Sequence, residues 1–435
     1  MNVLKKSTTL GLYRPGFFSI QINKDSPFIN ESGFIVEEEI FFHEYIHYLQ
    51  DISTTFGLIN ASNNLALLMS LSQSMRESGK SNLTVPIQNI DLGTHSINSD
   101  LISIYMGDDD FKELNDLETV IEEPIKFIES APDLKAVKLV FKSGDIYYFG
   151  ATCIMESMAA LLEELVFGIP DTSQMPYSAA SILAKHLCPQ IGNNKKYLIA
   201  LCDLSLMDYN PGIFFYNICL HFNKMNINLT SYKDIYLTSH YFKNDKSTNF
   251  SSMYRNAILE VLKFGKPLFC EPIHKSNYYW LREKFAKVYI YRKNNSNYIF
   301  DILDNLNHDF PTLTNKLMLK YGMPMVFNSL GKGWRTDKSK YDSNTLLLFK
   351  STQELFDILY YGYTYAHEEN DLLNKFFCSM YTTCRDIPTE SGVIDITNEH
   401  CKYKPWERSK DDNLCTFAQI WKVSGLGNIN LENAE

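Results

Sequence analysis

The run from Val36 to Ser53, "VEEEIFFHEYIHYLQDIS", contains neither Gly nor Pro and sets three glutamates ahead of an apolar stretch. Acidic side chains suit the first turn of a helix, where the macrodipole is positive, so this run is predicted as a helix with Ser32 or Glu31 as candidate cap. His43 and His47 are four residues apart. One helical turn therefore brings both imidazoles to the same face, where a single zinc ion could meet them at about 2.0–2.1 Å. Glu44 is rotated by about 100° from His43, beside such an ion but not directed at it as a ligand. A water on the ion would become acidic enough for Glu44 to take its proton. A catalytic zinc ordinarily has three protein ligands and one open position, so a second element must approach this helix face and bring a third.

Neither of the next positions supplies it, since Gln50 and Ser53 stand where a metzincin has Gly and His. A stronger candidate is "GATCIMESMAALLEELVFG", residues 150 to 168. It follows two β-rich runs, "AVKLVF" and "DIYYFG", around Lys142-Ser143-Gly144-Asp145, which predict a hairpin. The pattern then predicts a helix from Thr152 to Phe167, closed by Gly168 and Pro170. Glu156 lies on it, followed by the small residues Ser157 and Ala159. Glu163 shares the helix face of Glu156, Glu164 is rotated away, and Asp145 sits in the hairpin turn; all three stay open as alternative ligands.

Together the two segments resemble the zinc-binding helices of the gluzincin metallopeptidases, the thermolysin-like and aminopeptidase-like enzymes of the zincin superfamily. The resemblance implies an α+β zincin-like domain over residues 1–242 that holds one Zn²⁺ through His43, His47 and Glu156. It also implies a hydrolase that cuts peptide bonds of a protein or peptide, with Glu44 as general base on a zinc-bound water. The chain departs from many gluzincins in that Glu156 comes 109 positions after His47. Where some members place an Asp one turn after the Glu, this chain has Ala160. An orienting carboxylate for a histidine then has to come from elsewhere, with Glu163 and Asp51 as candidates.

The formal charge of −10 is concentrated, with 11 Asp and Glu against 2 Lys in residues 100–133. This acidic window is expected to hold short helical pieces and to form an insertion or lid over 97–133, and a regulatory partner of the chain is possible in addition. Without a global basic field no nucleic-acid role is expected, and without an apolar run of about 18 residues no membrane span is expected. The nine cysteines and the absence of an apolar leader suggest reduced thiols in the cytoplasm.

Further elements are expected as a strand over 12–23, helices over 58–77, 176–189, 194–209 and 211–222, and a boundary in the polar stretch 242–252. Beyond it, residues 243–435 read as a mostly helical region with a substrate-binding or regulatory part. The oxyanion-stabilising group stays open among Tyr209, His221, His240 and Tyr254. Cys378, Cys384, Cys401 and Cys415 with His400 allow a structural zinc or buried thiols. The hairpin of "AVKLVF" and "DIYYFG", residues 136–150, is a candidate edge for an extended peptide or serves only the core. The rival to the enzyme is a non-catalytic binding or scaffold protein with a relict or structural metal site.

Overall fold

A computed structural model describes residues 10–24, 35, 37–85, 87, 94–129, 132–168, 174–238, 249–269, 275–294, 297–328, 333–334, 343–362, 378, 380–381, 399–412 and 414–433. The first expected strand is two strands, β1 (Gly11–Arg14) and β2 (Ser19–Ile22), paired antiparallel with Gly11 opposite Ile22. Their residues alternate as one strand would, but Pro15-Gly16 turns the chain back. Gly16 has φ +77°, a conformation that glycine adopts without a Cβ penalty.

Helix α1 (Glu38–Ser53) begins with Glu38 and Glu39 in its first turn and is buried along most of its length from Phe41 on. Its N-cap, Glu37, makes no side-chain bond, and the candidate caps Ser32 and Glu31 lie outside the described residues. Thr54 ends α1 and starts α2 (Thr55–Glu77) by accepting a hydrogen bond from the Gly57 N–H. The short strand β3 (Asn82–Val85) and helix α3 (Thr94–Met106) follow.

The acidic window begins in the expected helical form, within α3, and differs from its expected short helices after Met106. After β4 (Lys112–Glu113) it forms β5 (Leu117–Ile125), which pairs antiparallel with β6 (Leu134–Phe141). Its charges are partly matched across the sheet, Glu122 by Lys135 at 2.6 Å and Glu123 by Lys138 at 3.2 Å. Dense Glu hid a pattern that cross-strand lysines stabilise. Strand β7 (Ile146–Phe149) completes a sheet ordered β5-β6-β7, with the expected turn at residues 142–145. On the outer edge of β7, Tyr148 N–H donates to Asp108 Oδ2 at 2.8 Å and Asp108 N–H donates to the Tyr148 carbonyl at 2.9 Å. Of the two strands expected to offer a peptide-docking edge, β6 is the middle strand and β7 the outer one, bonded to Asp108 at Tyr148.

Helix α4 (Ala151–Phe167) leaves β7 directly, ends at Gly168 and packs on α1. Strand β8 (Gln174–Met175) pairs antiparallel with β4. Helices α5 (Ala179–Leu187), α6 (Pro189–Gly192), α7 (Lys195–Ser205), α8 (Pro211–Met225) and α9 (Lys233–Thr238) follow.

The expected boundary at 242–252 lies mostly outside the described residues. Beyond it are α10 (Phe250–Leu268), α11 (Lys275–Lys293), α12 (Tyr298–Leu303) and α13 (Phe310–Tyr321). Strands β9 (Met325–Asn328) and β10 (Gly333–Trp334), helix α14 (Ser343–Tyr361) and strand β11 (Asn430–Asn433) complete the elements used below. The fold is α+β, mostly helical with small sheets.

Both sides of the boundary share one apolar core that runs from Phe18 and Tyr48 to Trp280, Phe285 and Phe349. Strand β2 pairs parallel with β9 in a sheet ordered β1-β2-β9-β10, and β11 pairs parallel with β3. Polar contacts cross as well. Tyr254 donates to the Ile52 carbonyl at 2.7 Å, and Arg292 makes 2.7 Å bonds to both oxygens of the buried Asp203 while its Nε donates to the Ser53 carbonyl. The C-terminal end of α1 is thus clamped from both sides. Among the described residues no helix is long and apolar enough to cross a membrane.

Candidate metal centre

Helices α1 and α4 bring His43, His47 and Glu156 together, with one ligand atom of each within 4.8 Å of the others. Glu156 Oε2 lies 3.2 Å from His43 Nε2 and 3.4 Å from His47 Nε2. Tetrahedral zinc with bonds of about 2.0–2.1 Å requires ligand atoms roughly 3.3 Å apart. The donor set could hold a metal ion, and these two separations are compatible with zinc as one such ion.

The remaining ring nitrogens are engaged behind the cluster. Glu163 Oε2 is 3.0 Å from His43 Nδ1, and Gln50 Oε1 is 2.8 Å from His47 Nδ1. Each ring can donate its Nδ1–H backward, which leaves the Nε2 lone pair forward. Gln50 is itself held by donating from Nε2 to the Met155 carbonyl on α4 at 3.0 Å.

The sequence alternatives separate cleanly. Glu163 stands behind a histidine, Glu164 pairs with Lys195, and Asp145 accepts from Ser143 Oγ in an exposed turn. Asp51 accepts from the Tyr13 hydroxyl at 2.7 Å and the Gly16 N–H at 2.8 Å, so it braces the β1–β2 turn on α1.

Burial disfavours charge on His43, but hydrogen bonds to Glu156 and Glu163 outweigh it and push its pKa up to about 10. Burial alone would raise Glu156, yet His47 and His43 hold its carboxyl well below the usual range. Glu44 is raised, because burial exceeds the opposing pull of His43 and His47. Its side chain lies under β1, where a Cβ on Gly11 would come within 2.7 Å of Glu44 Oε1. Only glycine allows the strand to approach so closely.

Tyr177 is the site residue that sequence reasoning missed. Its ring meets His43 edge to face at 5.8 Å, and its pKa is raised by burial and then by the charges of Glu156, Glu44 and Glu163. The hydroxyl therefore keeps its proton beside the carboxylates. Ser157 holds the Tyr177 loop from below, with its Oγ donating to the Pro176 carbonyl and accepting from the Ala180 N–H, each at 3.1 Å. From above, β4 pairs with β8, and the half-exposed Phe111 packs on the Tyr177 ring at 5.7 Å. No helical spacing links residue 177 to residue 43, so only the proximity of Tyr to a candidate site could have signalled it.

Of the sequence candidates for that position, Tyr254 spends its hydroxyl on the Ile52 carbonyl, and His240 lies outside the described residues. Tyr209 is in the turn before α8 and His221 is on α8 against Phe222. Cys378, Cys401 and Cys415 are buried, and Cys415 Sγ accepts from the Ala418 N–H at 3.5 Å. Cys384 lies outside the described residues, and among those described only the His43, His47 and Glu156 group gathers three ligand atoms.

Comparison with family models, with curated proteins and with solved structures finds no match for the chain.

Proposed function

We propose that this protein is a zinc-dependent metallopeptidase of zincin type that hydrolyses peptide bonds of a protein or peptide in the cytoplasm. The observation that carries the reading is the convergence of His43 Nε2, His47 Nε2 and Glu156 Oε2, with the Glu44 carboxylate beside them on the same helix. Bound there, Zn²⁺ would supply Lewis acidity to polarise a carbonyl and to ease deprotonation of a water.

The chain's own groups have distinct tasks. Glu44 takes the proton of the attacking water and hands it to the departing amine. Glu163 and Gln50 hold the two imidazoles in the tautomer that points Nε2 forward. The Tyr177 hydroxyl donates to the carbonyl oxygen as it gains negative charge. Phe111 and Tyr177 offer an aromatic wall to a substrate side chain. Because Phe111 and β4 belong to the acidic window, that window can restrain access to the site, alone or with a regulatory partner.

The test combines zinc stoichiometry of the purified chain with proteome-wide cleavage mapping of wild type against Glu44→Gln. One zinc per chain in both proteins and cleavages confined to wild type is the expected result. Stoichiometric zinc without Glu44-dependent cleavage points to the binding or scaffold protein, and a chain that takes up no zinc defeats the metal reading altogether.

A further inference from the structure

Helices α10 and α11 pack together and leave between them a cavity of about 610 Å³ that shares no residue with the candidate metal centre. Ile258, Leu259 and Leu262 of α10 face Tyr279 and Tyr289 of α11 across it, and Arg255 and Arg282 contribute exposed guanidinium groups. Leu259 is 52% exposed and Tyr279 53%, which is unfavourable for large apolar groups that serve only their own fold. Ile290, on the next turn of α11 after Ala286, is also 52% exposed.

The charge of this surface opposes that of the chain. The charged residues that line the groove are Arg255, Arg282 and Glu283, a net positive surface in a protein with a formal charge of −10. Glu260 is matched by Lys263 at 3.2 Å, whereas Arg255 and Arg282 make no salt bridge among the described residues. The cavity thus presents an aliphatic and aromatic floor rimmed by the Arg255 and Arg282 guanidinium groups and the Glu283 carboxylate, with Arg282 lying over the Tyr278 ring at 6.0 Å.

Each class of acidic ligand would need different features. Nucleic acid gains from phosphate contacts and base stacking, for which three aliphatic side chains in the floor are poorly suited. An anionic membrane surface is recognised by clusters of roughly four to eight Lys and Arg, whereas this groove is lined by two arginines and Glu283. An amphipathic helix lays apolar side chains at i, i+3, i+4 and i+7 into such a trough and sets its acidic flank against the rim. We propose that the α10–α11 groove is a docking site for an acidic amphipathic helix of a partner protein.

The experiment pans a displayed library of amphipathic helices on the full-length protein, with Glu, Lys or Ala allowed at the flanking positions. The expected result is enrichment of Glu beside Leu or Phe at helical spacing. A synthetic consensus peptide should then bind in fluorescence anisotropy and lose about tenfold or more in affinity for the Arg255→Glu/Arg282→Glu protein. The same peptide with its Glu replaced by Lys should regain affinity for that double variant, a readout that misfolding could not produce. Leu259→Asp should also abolish binding, with circular dichroism unchanged.

Four results would overturn the proposal. They are enrichment of Lys-flanked peptides, no peptide that depends on the two arginines, arginine-dependent binding only to phosphatidylserine vesicles or single-stranded oligonucleotides, and a concentration-dependent dimer that Leu259→Asp dissolves.

Discussion

Glu163 Oε2 lies 3.0 Å from His43 Nδ1, while Glu156 Oε2 lies 3.2 Å from Nε2 of the same ring. Two glutamates seven residues apart on α4 thus bracket one imidazole of α1. The spacing is two helical turns, which keeps both carboxylates on one face. The forward glutamate can share a metal with the ring, and the rear one decides which nitrogen carries the proton. Glu163→Gln keeps a hydrogen-bond acceptor but removes its charge, so metal affinity should fall about 10- to 100-fold. Competition with a chromogenic zinc chelator measures this, and Glu156→Gln should lose more because it removes a ligand charge.

Gln50 joins the two helices by accepting from His47 and donating to Met155. Gln50→Leu would remove both bonds from a fully buried position. Expected are a loss of about 1–3 kcal/mol in stability by urea denaturation of the metal-free protein and weaker zinc binding. A variant with normal stability and normal affinity would show that the amide does not orient the ring.

Glu44→Gln should leave the zinc content at one per chain, because residue 44 is outside the three-ligand group. Turnover of any peptide found by cleavage mapping should fall by about 10²–10⁴-fold, the usual contribution of a positioned general base. Steady-state kinetics beside metal analysis separates loss of the base from loss of the ion.

Tyr177→Phe preserves the ring contacts with His43 and Phe111 and deletes only the hydroxyl. Removal of one oxyanion donor costs about 10²–10³-fold in kcat, and KM should change little. An equal loss in zinc affinity would instead assign the hydroxyl to support of the metal centre.

Asp51 is buried, and desolvation raises its pKa to about 7 against the opposing Gly16 and Tyr13 hydrogen bonds. The folded protein therefore keeps a proton that the unfolded chain, with an ordinary Asp pKa of about 3.9, has already released. Below pH ~4 both states are protonated and the stabilising contribution is complete. It is lost as pH rises towards about 7 and stays lost above. Asp51→Asn retains an oxygen to accept from Tyr13 and Gly16 and cannot titrate. Urea midpoints of the metal-free protein between pH 4 and pH 8 should decline less steeply in Asp51→Asn than in wild type.

The sequence by itself determined those features that depend on neighbours along the chain. Helix α1 was legible from its acidic start and unbroken run, and α4 from the hairpin before it and Gly168 after it. The joint placement of His43 and His47 on one face follows from helical pitch alone. Local pattern misled where alternation ran across the Pro15-Gly16 turn and where glutamates on β5 concealed a strand that lysines on β6 compensate.

Tertiary structure alone decided that Glu156 meets the Nε2 atoms of both histidines while Glu163 stands behind His43 at Nδ1, because the rotation of α4 against α1 depends on the shared core rather than on either helix. It also tied Gln50, the local partner of His47, to the Met155 carbonyl of α4 and brought Tyr177 over His43 through Ser157 and the β4–β8 pair. Helical spacing is set by backbone geometry within a few residues. Convergence across more than a hundred residues is set by packing, which no local pattern encodes.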